Sequence, residues 1–294
     1  MEKSKVYFIK EISPESLYKI YEAVSNEKKL TGKIGVKIST GEPGGHNFLN
    51  PNLIKYLIQK IDGTIIECCT AYGGKRQELK DHLQTIKDHG FTQIANVDIM
   101  DAEDDFTIPV KNGLHLKENY VGGHLKNYNS ILMLSHFKGH AMGGFGGALK
   151  NMSIGVASSR GKAWIHSAGT TLDREKVWKN LPPQDDFLES MAEADEAVVN
   201  YMNGNILYIN VANNLSIDCD CDSNPAKPEM DDLGIFASVD PVAIDQACYD
   251  AVINSKDPGK KSLIERMDSR HAIHTVEHAA ELGIGNRNYE IINL

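Results

Sequence analysis

Short apolar strand patterns alternate with amphipathic helix patterns along most of this chain, and this alternation constrains the fold more than any other feature. Residues 33–40 carry Ile34, Val36 and Ile38 at every second position, which predicts a strand. Strands separated by helices point to a parallel or mixed sheet covered on both faces. Further strands are predicted at 64–69, 94–97, 131–135, 206–211 and 289–292.

Capping residues mark where several helices begin. Ser13-Pro14, Asn50-Pro51 and Asp240-Pro241 each place a capping side chain before a proline at the first helical position. The sequence therefore predicts one compact α/β unit with a mixed, mostly parallel sheet covered by helices, and two lobes at roughly 1–130 and 131–294. Besides the helix that begins at Pro241, helices are predicted at 14–26, 51–61, 77–89, 185–201 and 269–282.

Composition excludes several classes of protein. The net charge of −9, without a basic block, argues against a nucleic-acid partner, which needs a positive face. The sequence has no run of 18 apolar residues, so no membrane span is predicted. Residues 1–5 lack the apolar stretch of a secretory signal. Five cysteines, two adjacent and two separated by one residue, make a poor disulfide framework. We therefore expect a reduced, cytoplasmic protein with neither a nucleic-acid nor a membrane partner.

The strongest candidate for a functional site is segment 135–151, SHFKGHAMGGFGGALKN, which follows a predicted strand. In open α/β sheets, ligands bind beyond the carboxyl ends of strands. Nine of the 40 residues at 122–161 are glycine, which indicates tight backbone or close approach to a ligand. We predict catalytic roles for His136, His140 and Lys150. Backbone amides of the same loop predict an anion or cofactor site at Gly143, Gly144, Gly146, Gly147 and Lys150.

Alternatives to this assignment follow from the same residues. The segment contains neither a P-loop nor a dinucleotide-binding fingerprint. A glycine-rich turn that carries surface histidines is the structural alternative to a functional site.

A second candidate is Cys219-Asp220-Cys221, where alternating thiols and carboxylates can offer ligands to a cation. In an extended segment the two thiols lie on one face but about 6–7 Å apart, too far for a relaxed disulfide. We therefore predict that they are not bonded to each other and that they lie close to the glycine loop. Two thiols do not complete a four-ligand zinc site, so a pair of small core residues is the alternative.

A third candidate is the turn around Tyr72, Lys75 and Arg76, which together with Lys138 suits a carboxylate or phosphate substrate. A solvated basic turn is the alternative. Late in the chain, His271, His274 and His278 have the spacing of one helix face. That spacing fits either a partly buried face or a metal site.

Several motifs resemble the domain-of-unknown-function family 362: the run from Ser135 to His166, the DCDC pair, IFASVDPVAIDQACYD, TAYGGKR and HAAELGIGNRNYEI. Many members carry an inserted ferredoxin-type module with four clustered cysteines. The resemblance places this insertion between His166 and the acidic helix, where this chain has no cysteine. We therefore expect no four-iron cluster.

The order His140, Lys150 and His166, ten and then sixteen residues apart, is also similar to the lactate racemase family. That family uses a nickel–pyridinium dinucleotide cofactor. The resemblance implies that Lys150 holds such a cofactor covalently and that His166 ligates the metal. Cys219 and Cys221 remain candidate metal ligands on the pattern of thiols and carboxylates described above.

Together these features favour an enzyme that acts on a small anionic metabolite with a metal or organometallic cofactor, by acid–base or hydride chemistry. A lactate-racemase-like isomerase or oxidoreductase fits this description. The alternative is a non-enzymatic metal-binding or electron-transfer accessory protein that lacks the ferredoxin module of its relatives.

Overall fold

A computed structural model of the protein describes residues 3–294. Its strands are β1 (Ser4–Ile9), β2 (Ile34–Lys37), β3 (Thr64–Glu67), β4 (Val97–Ile99), β5 (Asp105–Pro109), β6 (Glu118–Gly122), β7 (Ser130–His136), β8 (Lys138–His140), β9 (Gly144–Gly146), β10 (Ile206–Ala212), β11 (Gly234–Ser238) and β12 (Tyr289–Asn293). Its helices are α1 (Pro14–Ser25), α2 (Pro51–Lys60), α3 (Leu79–Asp88), α4 (Ala148–Val156), α5 (Ser159–His166), α6 (Gln184–Tyr201), α7 (Pro241–Asn254), α8 (Lys260–Ser269) and α9 (Ile273–Glu281).

Eight strands form one sheet in the order β12-β1-β11-β10-β7-β2-β3-β4. Within the described residues, β11 is antiparallel to both its neighbours and the other seven strands run in one direction. Two short hairpins, β5–β6 and β8–β9, stand outside this sheet. The predicted mixed, mostly parallel sheet is confirmed. The division into two lobes near residue 130 stays a proposal. The eight-stranded sheet takes strands from both sides of that residue.

Helices cover both faces of the sheet, which explains why its central strands are almost wholly apolar. On β7, Leu132 and Leu134 face the core under α1, α2 and α3. Ile131 and Met133 face the opposite core, which contains residues of α4, α6, α7, α8 and α9. A strand buried on both faces needs apolar residues at successive positions, and β7 has them.

The predicted caps hold at three helices. Ser13 accepts a hydrogen bond from the Ser16 amide, Asn50 from that of Asn52, and Asp240 from those of Val242 and Ala243. These side-chain acceptors satisfy amides that have no partner inside their own helix.

Two predicted boundaries are wrong. The strand expected at 94–97 is β4, Val97–Ile99, because a 3₁₀ turn at Phe91–Gln93 delays its start. The helix expected at 269–282 is divided: α8 ends at Ser269 and α9 begins at Ile273. Between them His271 has a φ of 49°, a left-handed conformation that interrupts an α-helix.

The order of the strands positions a ligand site. From β2 the chain proceeds outward through β3 and β4, and it then returns to β7 on the other side of β2 and continues to β10. A crevice opens at such a reversal, beyond the carboxyl ends of the parallel strands. None of the described helices is long and apolar enough to cross a membrane.

Candidate functional site

A cavity of about 270 Å³ lies where β2, β3 and β7 end. Lys37, Glu67 and His136, each the last residue of its strand, line it together with residues of α4 and α5. Most residues predicted from the sequence as a site also line it: Tyr72, Arg76, His136, Lys138, His140, Gly146, Gly147, Lys150, His166, Cys219 and Cys221. Gly143, Gly144 and Lys75 do not line this cavity, and Lys75 instead borders an adjacent surface groove.

Lys150, in the first turn of α4, brings an amino group without a protein partner to the cavity. Among the described residues its amino group makes no hydrogen bond and no ion pair, although it is only partly exposed. Burial, followed by the nearby charge of Lys138, lowers the pKa of Lys150 to about 7. A substantial fraction of this amine is therefore neutral near pH 7 and able to act as a base or nucleophile.

Two further lysines, which no sequence motif marks, lie buried at the same cavity. Lys37 Nζ donates to Ile38 O at 2.6 Å and to Asn151 Oδ1 at 3.0 Å, and Lys162 Nζ donates to Ala157 O at 2.6 Å. Neither has a carboxylate within ion-pair distance among residues 3–294. Burial lowers the pKa of Lys37 to about 8, against the opposing charge of Glu67. The available signal for Lys37 was a lysine between Val36 and Ile38 at a strand end.

Arg76 and Tyr72 are already engaged by acidic partners. Arg76 Nε donates to Glu42 at 2.8 Å, and its Nη1 lies 3.5 Å from Glu67 Oε1. The Tyr72 hydroxyl donates to Glu42 at 2.7 Å. Burial alone raises the pKa of Glu67, but the hydrogen bond from His82 and the charge of Arg76 hold it well below its usual range. These two carboxylates leave little of the guanidinium charge for a substrate.

A similar pairing involves Lys138 and His136. Asp220 contacts His136 Nδ1 at 2.8 Å and Lys138 Nζ at 3.0 Å. The other ring nitrogen of His136 donates to Asn213 O at 2.6 Å. Both nitrogens of His136 therefore have partners, and neither is free to exchange a proton with a molecule in the cavity.

His140 and His166 have opposite tautomers, which we assign from their hydrogen-bond partners. His140 Nδ1 accepts from the amides of Met142 at 3.2 Å and Gly143 at 2.8 Å, so its proton is on Nε2. His166 Nδ1 donates to Lys162 O at 2.7 Å, which leaves the lone pair of Nε2 available. Burial and the charge of Lys150 lower the pKa of His140 well below its usual range, and burial lowers that of His166 to about 4. Both rings are therefore neutral at pH 7.

Cys219 and Cys221 are bonded to each other, which corrects the prediction that they are separate. The prediction assumed an extended segment, but the chain turns here: the Asp222 amide donates to Cys219 O at 2.9 Å. The turn brings the two Cα atoms to 5.2 Å, a normal spacing for a disulfide. The bond lies beside the glycine loop, as expected, with Cys221 Sγ 3.8 Å from His140 Nε2.

The three residues predicted to ligate a metal do not converge on one point. The ligand atoms of His140, Cys219 and Cys221 lie within 4.8 Å of one another, but no such group in the described part of the chain joins His166 to the two cysteines. A metal at the first group requires reduced thiols and a proton-free Nε2 on His140. The two amides at Nδ1 oppose that tautomer.

The glycine loop serves the fold more than an anion site. The first amides of α4, those of Ala148 and Leu149, donate to Asp245 at 2.8 and 2.9 Å. Gly147 is needed there because a Cβ at this position lies 2.4 Å from Asp245 Oδ1. Gly144 has a φ of 77° and packs against Ala272. A carboxylate of the protein thus already occupies the helix N-terminus that the sequence suggested for a ligand.

Residues 34–250 match the family described as Domain of unknown function (DUF362), so the chain belongs to that family. Among solved structures, the lactate racemase apoprotein from Thermoanaerobacterium thermosaccharolyticum is similar at 15% identity and a TM-score of 0.41, over 71% of this chain and 50% of that one. A protein from Thermotoga maritima is similar at 12% identity and a TM-score of 0.39, over 93% of this chain and 60% of that one. This chain thus spans half the length of the first structure and 60% of the second. No curated protein matches the sequence.

Proposed function

We propose that this member of the DUF362 family is an enzyme that binds a small anionic metabolite in the cavity beyond β2, β3 and β7 and transfers a proton or hydride on it. The observation that carries the proposal is the amino group of Lys150. This amino group has no partner among the described residues, and its pKa is lowered to about 7. Because a lysine with a structural role normally has a hydrogen-bond acceptor, these two properties favour a role in the reaction.

An anionic substrate follows from the charges around this amine. Lys37 and Lys162 bring buried ammonium groups whose hydrogen-bond acceptors are uncharged. A carboxylate or phosphate supplies the missing counter-charge and accepts their remaining hydrogens. The cavity volume of about 270 Å³ favours a metabolite of a few carbon atoms.

The two groups best suited to proton transfer are Lys150 and His140. In its neutral form the Lys150 amine accepts a proton, while the tautomer of His140 directs an N–H toward the disulfide and the cavity. One acceptor and one donor at the same cavity are the requirement for moving a proton between two positions of a substrate. His136 then acts as a positioning residue that holds Asp220 and, through it, Lys138.

In a second version of the proposal, Lys150 is the attachment point of the cofactor implied by the sequence resemblance to lactate racemase, and its amine then does not act as the base. His166 would be the metal ligand in that version. An unpaired amine suits covalent attachment, and the free Nε2 of His166, whose Nδ1 is held by a carbonyl, suits a metal ion. Bound there, a nickel–pyridinium group supplies reversible hydride acceptance. Intact-mass spectrometry of protein from its native host tests this assignment: added mass on the wild-type chain and none on Lys150→Met supports it, and an unmodified wild-type chain contradicts it.

Substrate binding is tested by thermal shift with inorganic phosphate and a panel of small 2-hydroxy and 2-oxo carboxylates. At least one anion is expected to stabilise the wild type and Lys55→Met, a change at an exposed lysine, but not Lys150→Met or Lys162→Met. Turnover is then followed in D₂O as loss of a substrate C–H signal by NMR. Equal stabilisation of all four proteins contradicts the proposed cavity.

The second candidate function is a metal-binding accessory protein, favoured by the proximity of His140, Cys219 and Cys221. It predicts that metal content is lost in Cys219→Ser/Cys221→Ser and is unaffected by Lys150→Met. The enzyme proposal predicts instead that anion binding is lost in Lys150→Met and is kept in Cys219→Ser/Cys221→Ser.

A further inference from the structure

Six potential metal ligands gather outside the cavity, where α6 meets α9, and they have no role in the proposed reaction. We call them the α6–α9 cluster. Three carboxylates belong to α6, two imidazoles come from the break before α9 and its first turn, and one comes from the loop between β5 and β6. They are Asp185, Asp186, Glu189, His271, His274 and His115.

Within the cluster, the ligand atoms fall into two groups. Those of Asp185, His271 and His274 lie within 4.8 Å of one another, and so do those of His115, Asp186 and Glu189. Glu189 links the groups, because its Oε1 lies 2.8 Å from His274 Nε2 and its Oε2 lies 2.6 Å from His115 Nε2. Each group thus contains imidazole nitrogen and carboxylate oxygen around a shared carboxylate.

The three carboxylates of the cluster favour the binding of a cation. Among the described residues, no lysine or arginine forms an ion pair with Asp185, Asp186 or Glu189. Asp185 instead pairs with His271 at 2.8 Å, and Glu189 pairs with His115 at 2.6 Å and with His274 at 2.8 Å, so these acidic side chains face imidazoles. All six residues are at least partly exposed, so an ion from solution can reach them.

A carboxylate also faces the outer nitrogen of His274, at ion-pair distance but beyond the length of a hydrogen bond. Its Nδ1 lies 3.9 Å from Glu277 Oε2, and Arg287 holds the other oxygen of Glu277 at 2.7 Å. Histidines that ligate metals usually present their second nitrogen to a carboxylate, which orients the ring and raises its basicity.

We propose that the α6–α9 cluster binds divalent transition-metal ions of the zinc type, with Glu189 shared between the two ligand groups. Mixed imidazole and carboxylate ligands favour zinc, nickel or copper over calcium or magnesium, which take oxygen ligands. On binding, the metal replaces the hydrogen bonds that now join Glu189 to His115 and His274, and Asp185 to His271. This site is independent of the cavity and of the function proposed there.

Isothermal titration with Zn²⁺ tests the proposal, in a Cys219→Ser/Cys221→Ser background so that thiols do not contribute. We expect micromolar or tighter affinity, and at least a tenfold weakening in His274→Ala and in Glu189→Gln. The matched control is His124→Ala, because His124 also pairs with a carboxylate, Asp98 at 2.7 Å, but belongs to no such group.

His271→Asn guards against loss of folding, since His271 is exposed and asparagine tolerates its left-handed φ of 49° better than alanine does. It too is expected to weaken zinc binding at least tenfold while the unfolding transition without metal stays unchanged. Absence of zinc binding at 100 μM metal in the parent protein, or equal affinity in His271→Asn and His124→Ala, overturns the proposal.

Discussion

Replacing Lys150 by methionine is expected to stabilise the fold near neutral pH. The pKa of Lys150 falls from 10.5 to about 7, which means that the folded protein resists the positive charge. Each pKa unit corresponds to about 1.4 kcal/mol, so charging this amine costs the native state up to roughly 5 kcal/mol. Methionine has a similar length and no charge. Because the amine borders a cavity that water can enter, we expect a gain of about 2–4 kcal/mol.

The pH dependence of this gain has a definite sign. Between pH 7 and 10.5 the unfolded chain holds a proton on Lys150 that the folded chain has lost, so wild-type stability rises with pH. The advantage of Lys150→Met is therefore complete below about pH 7 and disappears above about pH 10.5. Neutralising the amine by high pH and removing it by mutation have the same effect.

Urea unfolding at pH 6.5, 8.5 and 10.5 measures this difference, with Lys55→Met as the control for loss of an exposed lysine. The slopes of the urea dependence must agree between variants for the free energies to be compared. A Lys150→Met protein that is less stable than the wild type at pH 6.5, or a stability gap that does not change with pH, refutes the inference that this amine is buried and unpaired. Such a result would mean that the Lys150 amine contacts an acceptor or a counter-ion in the protein in solution.

Two other predictions concern buried and bonded groups. Asp195 lies fully buried in α6 without a hydrogen-bond partner in the described structure, and burial together with Asp245 raises its pKa well above the usual range. The free energy of unfolding of Asp195→Asn, measured with urea, should equal that of the wild type at pH 4 and exceed it by more than about 1 kcal/mol at pH 8. The reason is that the Asp195 carboxyl ionises easily only in the unfolded chain. Equal free energies at both pH values contradict this prediction. Cys219 and Cys221 are joined by a disulfide and the other three cysteines are buried. A maleimide should therefore label the native protein only after mild reduction, and mass spectrometry should then find two labelled sites. Fast labelling of this pair without a reductant shows that the disulfide is absent.

Local chemistry in the sequence was enough to predict much of the secondary structure. Caps at Ser13, Asn50 and Asp240 set the starts of α1, α2 and α7, because a capping side chain bonds to amides only a few residues away. The apolar run of β7 likewise reported burial on both faces. The rule about where parallel strands end led to segment 135–151, and His140 and Lys150 of this segment line the cavity. His166, which also lines it, was suggested only by the resemblance to lactate racemase.

Only the tertiary structure decided which of these side chains remains free to react. Arg76 looked available but meets Glu42, 34 residues before it, and the α4 amides that looked ready for an anion meet Asp245, 97 residues beyond Ala148. Lys37 and Lys162 looked ordinary, but folding places them at the cavity without a carboxylate. Sequence patterns report the preferences of neighbouring residues, whereas the charge and protonation of a site depend on groups that only the folded chain brings together. For that reason the type of fold could be predicted here, and the identity of the reactive amine required the structure.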